Sequence, residues 1–302
     1  MELNNLVNLQ GMLFLLVAAG IILRKTNILP KQGTAMLTDM VIYLVLPCNI
    51  IYSFFIEFNL NILKNFLIIL LISCLIQLGC LILSNTLYKR QKPEIKTVLQ
   101  YGTVCSNAGF MGNPIAEGVF GANGLLLASI YLIPQRIVMW SAGISYFTKS
   151  PDKKNMIKKI LTHPCIVAVY IGLIIMLFQI SLPAFLKNTI KDISGCTTVL
   201  SMVLIGTILA EVNVKNMISK TVLGYAFIRL ILIPSLVLAG CRLFQINALL
   251  TGVSVLLAGM PAGSTTAILA AKYDGDFVFA TKCVVFTTLV SLITIPLWCL
   301  VL

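Results

Sequence analysis

The sequence predicts an all-α polytopic membrane protein of ten transmembrane helices, arranged as two inverted five-helix repeats whose fourth and ninth helices are unwound. Three observations predict it. Of 302 residues, 59% are hydrophobic and only 11% are charged, too little polar surface to coat a soluble fold of this size. Apolar runs of about 20 residues recur along the whole chain, each able to cross roughly 30 Å of hydrocarbon. The fourth and ninth runs carry the same irregularity, Gly and Pro among small polar residues where an unbroken helix is expected.

The first five spans read as 6–23, 35–55, 62–88, 95–120 and 125–147. The second five read as 161–180, 193–210, 218–244, 248–272 and 277–302. No stretch is polar and long enough for a separate aqueous domain, so residues 1–302 form one transporter-like unit. Residues 1–147 are its first repeat, 148–160 a cytoplasmic linker, and 161–302 its second repeat. The start, "MELNNLVNLQ", has no basic leader segment, and the first apolar run is expected to be a retained span. Lys and Arg orient the whole. Sixteen of the 22 lie in and beside the loops after spans 1, 3, 5, 7 and 9, four lie on the other side, and two lie within spans. The positive-inside rule then places the first set of loops in the cytoplasm and both termini outside, in a plasma or bacterial inner membrane.

Five spans on each side of a cytoplasmic linker force the second half to enter the membrane from the opposite face. Such inverted repeats are a common plan for secondary transporters. Span 4 carries "SNAGFMGNP" (106–114) and span 9 carries "AGMPAGSTT" (258–266). Pro114 and Pro261 lack an N–H and crowd the preceding turn, and freed backbone groups survive in a membrane only inside protein or facing a watered cavity. The restarted half-helices are expected to begin near Pro114 and Pro261. Their unpaired N–H groups and positive dipole ends would then meet at mid-membrane, an arrangement suited to an anion. Asn107 and Asn113 offer amides to a carboxylate or to freed backbone. Ser264, Thr265 and Thr266 offer hydroxyls from the other side.

Glu117 has two readings, a first-turn carboxylate favoured by the helix dipole or a protonatable relay group. Arg136 and Arg229 fall near mid-span, where a charge faces a cavity or a partner. Each suits a substrate carboxylate, or a helix-end carbonyl in a purely structural role. Asp274 and Asp276 in "KYDGD" read as a turn. His163 reads as an interfacial residue, and Trp140 and Trp298 as packing or interface anchors.

Residues also carry a resemblance. "NAGFMGNP", "AGMPAGSTTAILAAKYDGD", "TTLVSLITIPLW" and "IYLVLPCNIIYSF" are similar to the auxin efflux carrier family, which includes plant auxin exporters and short bacterial permeases for small acids. The resemblance implies a homodimer, and a fold similar to the sodium/proton antiporter and bile-acid symporter folds, with helices 4 and 9 crossed at their unwound segments. It implies a scaffold of spans 1, 2, 6 and 7 and an elevator motion of the other six. It also implies a substrate-carboxylate contact for Asn107. The short linker between the halves resembles that of the bacterial permeases, not the long-loop auxin exporters.

The expected function is secondary transport of a small carboxylic acid. A sodium-coupled organic-anion symporter of the bile-acid type, a channel and a sensor are the alternatives. The absence of a GxxxxGK[ST] pattern argues against ATP-driven pumping. An intramembrane enzyme lacks both a nucleophile–base pair and an HExxH site. Nine scattered Cys and a single His read as buried hydrophobes and an isolated ring, with no metal site. Despite a formal charge of +12, the basic residues lie in short loops with no aromatic-interleaved patch, and no nucleic-acid partner is expected. No cofactor is expected, and the coupling ion stays open between proton and sodium.

Overall fold

A computed structural model describes residues 3–56, 59–147, 157–158, 161–210, 218–273 and 275–302. The predicted linker lies almost wholly outside the described residues, as does Asp274. Every regular element among them is helical: α1 (Leu3–Lys25), α2 (Lys31–Met40), α3 (Leu46–Ser53), α4 (Leu60–Leu87), α5 (Pro93–Val104) and α6 (Asn113–Trp140), then α7 (Pro164–Leu177), α8 (Ala184–Gly195), α9 (Thr197–Ala210), α10 (Lys220–Phe227), α11 (Ile233–Leu243), α12 (Ala248–Ala258), α13 (Thr265–Lys272) and α14 (Phe277–Val301). Among the described residues, six helical runs are long and apolar enough to cross a membrane, namely Lys31–Ser53, Leu60–Leu87, Ala108–Met139, Ala184–Ala210, Lys220–Leu243 and Phe277–Val301. Two shorter apolar helices, α7 and α12, accompany them.

Polarity runs inside out, as a lipid solvent requires. On α4 the exposed side chains include Leu63, Leu67, Leu71, Leu75, Leu78 and Ile82, a stripe at helical spacing, while Ser73, Gln77 and Ser84 are buried. In water the stripe would cost solubility; in a bilayer it is the natural outer face, and the polar groups bond inward. Ser73 Oγ, for example, donates to the Tyr131 carbonyl at 2.6 Å. The chain is an integral, multi-pass membrane protein.

The helices form two compact units, and neither follows one half of the chain. Unit 1 comprises Met1–Phe66, Asn113–Ile130 and Leu161–Val212; unit 2 comprises Leu67–Gly112, Tyr131–Ile160 and Asn213–Leu302. In unit 1, α1 lies directly on α9 because both are glycine at the contact. A Cβ on Gly20 would strike the Val203 carbonyl, and one on Gly206 would strike the Val17 carbonyl. Small residues permit such backbone approach between membrane helices. In the same unit, Gly172 of α7 leaves room for the Phe54 ring at the end of α3.

Three spans contain a turn of π-helix, at Val41–Val45, Ala108–Gly112 and Ile228–Leu232. Each is followed within two residues by proline: Pro47, Pro114 and Pro234. A proline ring excludes the bond to the carbonyl four residues back, here Tyr43, Phe110 and Leu230, and each of those carbonyls lies inside the widened turn. The sequence places the start of the restarted helix near Pro114, and the structure places it earlier. The helix of span 4 resumes at Ala108, and Pro114 sits at the junction of the π turn with α6. Pro261 likewise lies within the unwound segment 259–264, ahead of α13.

Span 7 was expected to begin at 193. The helical run starts at Ala184 instead, because "AFLKNTIKDISG" is an amphipathic helix whose charges mask its continuity with the apolar run. Asp276 is more than part of a turn: it caps α14, with Oδ1 accepting from Phe279 N at 2.8 Å. His163 caps α7 through Nδ1, which accepts from Cys165 N.

Candidate functional site: paired helix breaks and a buried carboxylate

Unit 2 holds both breaks. Between α5 and the following π turn the backbone is extended at Cys105, and between α12 and α13 it runs irregularly from Gly259 to Ser264. The two irregular segments bond to each other. Ser106 and Ala262 form an antiparallel bridge, Asn107 N donates to the Pro261 carbonyl at 2.8 Å, and Gly263 N donates to the Cys105 carbonyl at 2.9 Å. Side chains satisfy the remainder. Gln135 Nε2 donates to the Ser106 carbonyl at 2.7 Å while its Oε1 accepts from Ser106 Oγ at 3.0 Å. Thr287 Oγ1 accepts from Ala262 N at 3.1 Å. This accounts for backbone groups that hydrocarbon would leave unpaired.

Around this junction lie most of the polar groups singled out from sequence. Asn107 is buried, its carbonyl accepts from Met111 N and Gly112 N, and its side chain makes no hydrogen bond among the described residues. The unpaired N–H groups of the resumed helix therefore belong to 108–110 and not to the residues after Pro114. Ser264 flanks α13 without a side-chain cap bond, and Thr265 Oγ1 accepts from Tyr101 OH at 3.2 Å. The Thr266 hydroxyl is buried without a partner.

Two guanidinium groups belong to the same unit. Arg229, 3% exposed, donates from Nη1 to the Thr103 carbonyl at 3.5 Å, near the end of α5, and its Nε has no partner among the described residues. Arg136, 6% exposed, has an Nη1 with no partner among the described residues, and a Cβ built on Gly109 would lie 3.7 Å from its Nη2. Thr103 precedes the break and Gly109 follows it. The described acids are Asp39, Glu94, Glu117, Asp192 and Asp276, and neither arginine pairs with any of them. An apolar groove of about 540 Å³ in unit 2, lined by such residues as Ile72, Leu75, Leu236 and Val237, offers no comparable chemistry for an acid.

Asn113, Pro114 and Glu117 belong instead to unit 1. Asn113 is fully buried and neither of its amide atoms has a partner among the described residues, backbone groups included. Glu117 is not in the first turn of the resumed helix, and its carboxylate caps nothing. Its Oε2 accepts from Asn49 Nδ2 at 3.2 Å, and Asn49 Nδ2 also donates to Ser194 Oγ at 3.0 Å.

Residues 11–299 match the family model described as "Membrane transport protein". The chain belongs to this family, the auxin efflux carriers that its motifs resemble. It is similar to an uncharacterized transporter of Methanothermobacter thermautotrophicus, 27% identical over 296 residues and 95% of each chain. It is also similar to one of Methanocaldococcus jannaschii, 24% identical over 295 residues and 94% of each. Membership makes this protein a membrane transporter and not an enzyme.

Several residues of this candidate site were not singled out from sequence. Gln135 and Thr287 were visible only as polar residues in "IPQRIV" and "FTTLVS", and their partners at the breaks lie far away in sequence. Asn49 was visible as an amide inside span 2, which is the one local signal of its role.

Proposed function

We propose that the protein is a secondary transporter for a small carboxylic-acid anion, bound beside the paired breaks of spans 4 and 9 and carried by an elevator-type alternating-access cycle. The observation that carries this reading is the pair of buried guanidinium groups in unit 2 that meet no carboxylate among the described residues. A buried charge is costly unless it is paired, and a substrate acid provides the missing partner in bidentate form. Arg136 is the principal anion contact. Arg229, tied to the end of α5, sets the charge of the region. Asn107 supplies an amide, Ser264 and Thr265 supply hydroxyls, and the N–H groups at 108–110 supply helix-end donors.

The ten-span inverted repeat, the crossing of spans 4 and 9, and the extracytoplasmic termini belong to the same proposal, as do a homodimeric state and residence in the cell membrane. The elevator reading is supported by unit 1 containing spans 1, 2, 6 and 7, the scaffold that the resemblance implies. Segment 113–130 departs from that assignment, since it clusters with unit 1. Glu117 is the ion-coupling group, and it takes a proton.

The test is flux into liposomes containing the purified protein, with radiolabelled mono- and dicarboxylates across pH and with or without sodium. Saturable uptake with counterflow supports a carrier. An ohmic current converts the assignment to a channel. A panel with neither acid flux nor ligand-induced thermal stabilisation overturns the acid reading, and dependence on sodium in place of pH overturns the proton.

A further inference from the structure

Asn49 sits in α3 with none of its surface exposed, in the mostly apolar stretch 40–51 of its span. Burying an amide there is costly unless its hydrogens are used. Its nitrogen carries two hydrogens and meets two oxygens, Glu117 Oε2 at 3.2 Å and Ser194 Oγ at 3.0 Å. Three segments distant in sequence are thereby joined within unit 1: α3, the first part of α6, and the end of α8. Asn49 Oδ1 is buried and has no partner among the described residues, so the whole polar investment of this side chain lies on the Glu117 side.

The strength of that junction depends on charge. An ionised carboxylate accepts a hydrogen bond roughly twice as strong as a neutral acceptor. Other groups near the junction do not compete for it. Of the helices packed against α3, α7 carries Tyr170 and Cys165, and Lys187, Lys191 and Asp192 of α8 are exposed; α9, packed on α8, carries no acid or base. On α2, Lys31 and Asp39 are exposed as well, and Tyr43 lies in the π turn that follows it. None of these forms an ion pair with Glu117 among the described residues.

We propose that Asn49 is the positioning residue of Glu117, and that the Glu117–Asn49–Ser194 bonds form a latch in unit 1, firm while the carboxylate is ionised and loosened by its protonation. The latch rests on the reading of Glu117 as the proton-coupling group, and adds to it the structural consequence of the proton. Loading a proton weakens the bond that joins the segment after the span 4 break to α3 and α8, and releasing it restores that bond.

The experiment is a double-mutant cycle on the full-length protein, using Asn49→Ala, Glu117→Gln and the combined variant. Reversible unfolding in mixed detergent micelles is followed across pH, so no substrate is needed. The wild type is expected to show a pH-dependent step in its unfolding equilibrium constant that Glu117→Gln lacks. The Asn49–Glu117 coupling in this cycle is expected to be about tenfold on the ionised side of that step and close to none on the neutral side, where the Gln carbonyl and a protonated carboxyl accept alike. A step with equal coupling on both sides overturns the latch and leaves Glu117 as the proton group. Absence of the step overturns both. If Asn49→Ala does not fold, Asn49→Ser, which retains a hydroxyl, takes its place in the same cycle with the same outcomes.

Discussion

Arg136 and Arg229 look equivalent in the sequence, each a lone arginine near mid-span, and their surroundings separate them. Arg229 already gives one N–H to the Thr103 carbonyl, so it neutralises a helix end, whereas Arg136 has no such bond and Nη1 is left without a partner. Replacing Arg136 by Gln should weaken acid binding roughly tenfold to a hundredfold, the worth of a charge-assisted bond, with near-normal expression; isothermal titration or uptake kinetics measures it. Arg229→Gln should instead lower the unfolding temperature, with a smaller effect on affinity. A reversed pattern would exchange the two roles. Asn107 was legible because its motif is local. The link of Asn49 to Glu117 and Ser194 was not, since those partners are 68 and 145 residues away and no spacing rule reaches that far.

Helical elements were legible because apolar length is a strong signal, and so was the presence of breaks in spans 4 and 9. The exact point of each break was not. Proline marks where a hydrogen bond is missing, but in spans 2, 4 and 8 the chain absorbs that loss as a π turn and remains helical. The true interruption in span 4 falls at Cys105–Asn107, where another segment stands ready to pair with the backbone. Two predictions belong at this level. Thr287→Val keeps the shape of the side chain but removes the acceptor for Ala262 N, and should cost about 1–3 kcal/mol as a buried unpaired donor, read from the unfolding midpoint in detergent. The Leu230 carbonyl, released by Pro234, accepts from Trp298 Nε1 at 2.9 Å. With Pro234→Ala the N–H at that position can compete for Leu230. In a Trp140→Phe background, where Trp298 is the sole indole, its emission should shift; an unchanged spectrum would mean that the π turn persists without the proline.

At the scale of the whole molecule, the two units cut across the two halves of the chain. A sequence read from end to end suggests two successive halves, whereas packing gathers residues 1–66, 113–130 and 161–212 into one unit. Hydrophobic length identifies spans but carries no information about which spans share a core, because most of their surfaces are equally apolar. Charge does carry global information, through loops and not through packing. Sixteen basic residues against four across the odd and even loops correspond to a strong bias, given that translocating a Lys or Arg is far less favourable than retaining it on the cytoplasmic side. A periplasmic-reporter fusion at either terminus should therefore be active, while a reporter inserted into the linker at 148–159 should be active only as a cytoplasmic protein. The pair of results is needed, because an inverted repeat places its halves in opposite senses only if the linker crosses no membrane. Active external reporters at both termini together with an external linker would give each half an even number of crossings and overturn the five-plus-five plan. Inactive external reporters at the termini with an external linker would keep the plan and reverse its orientation.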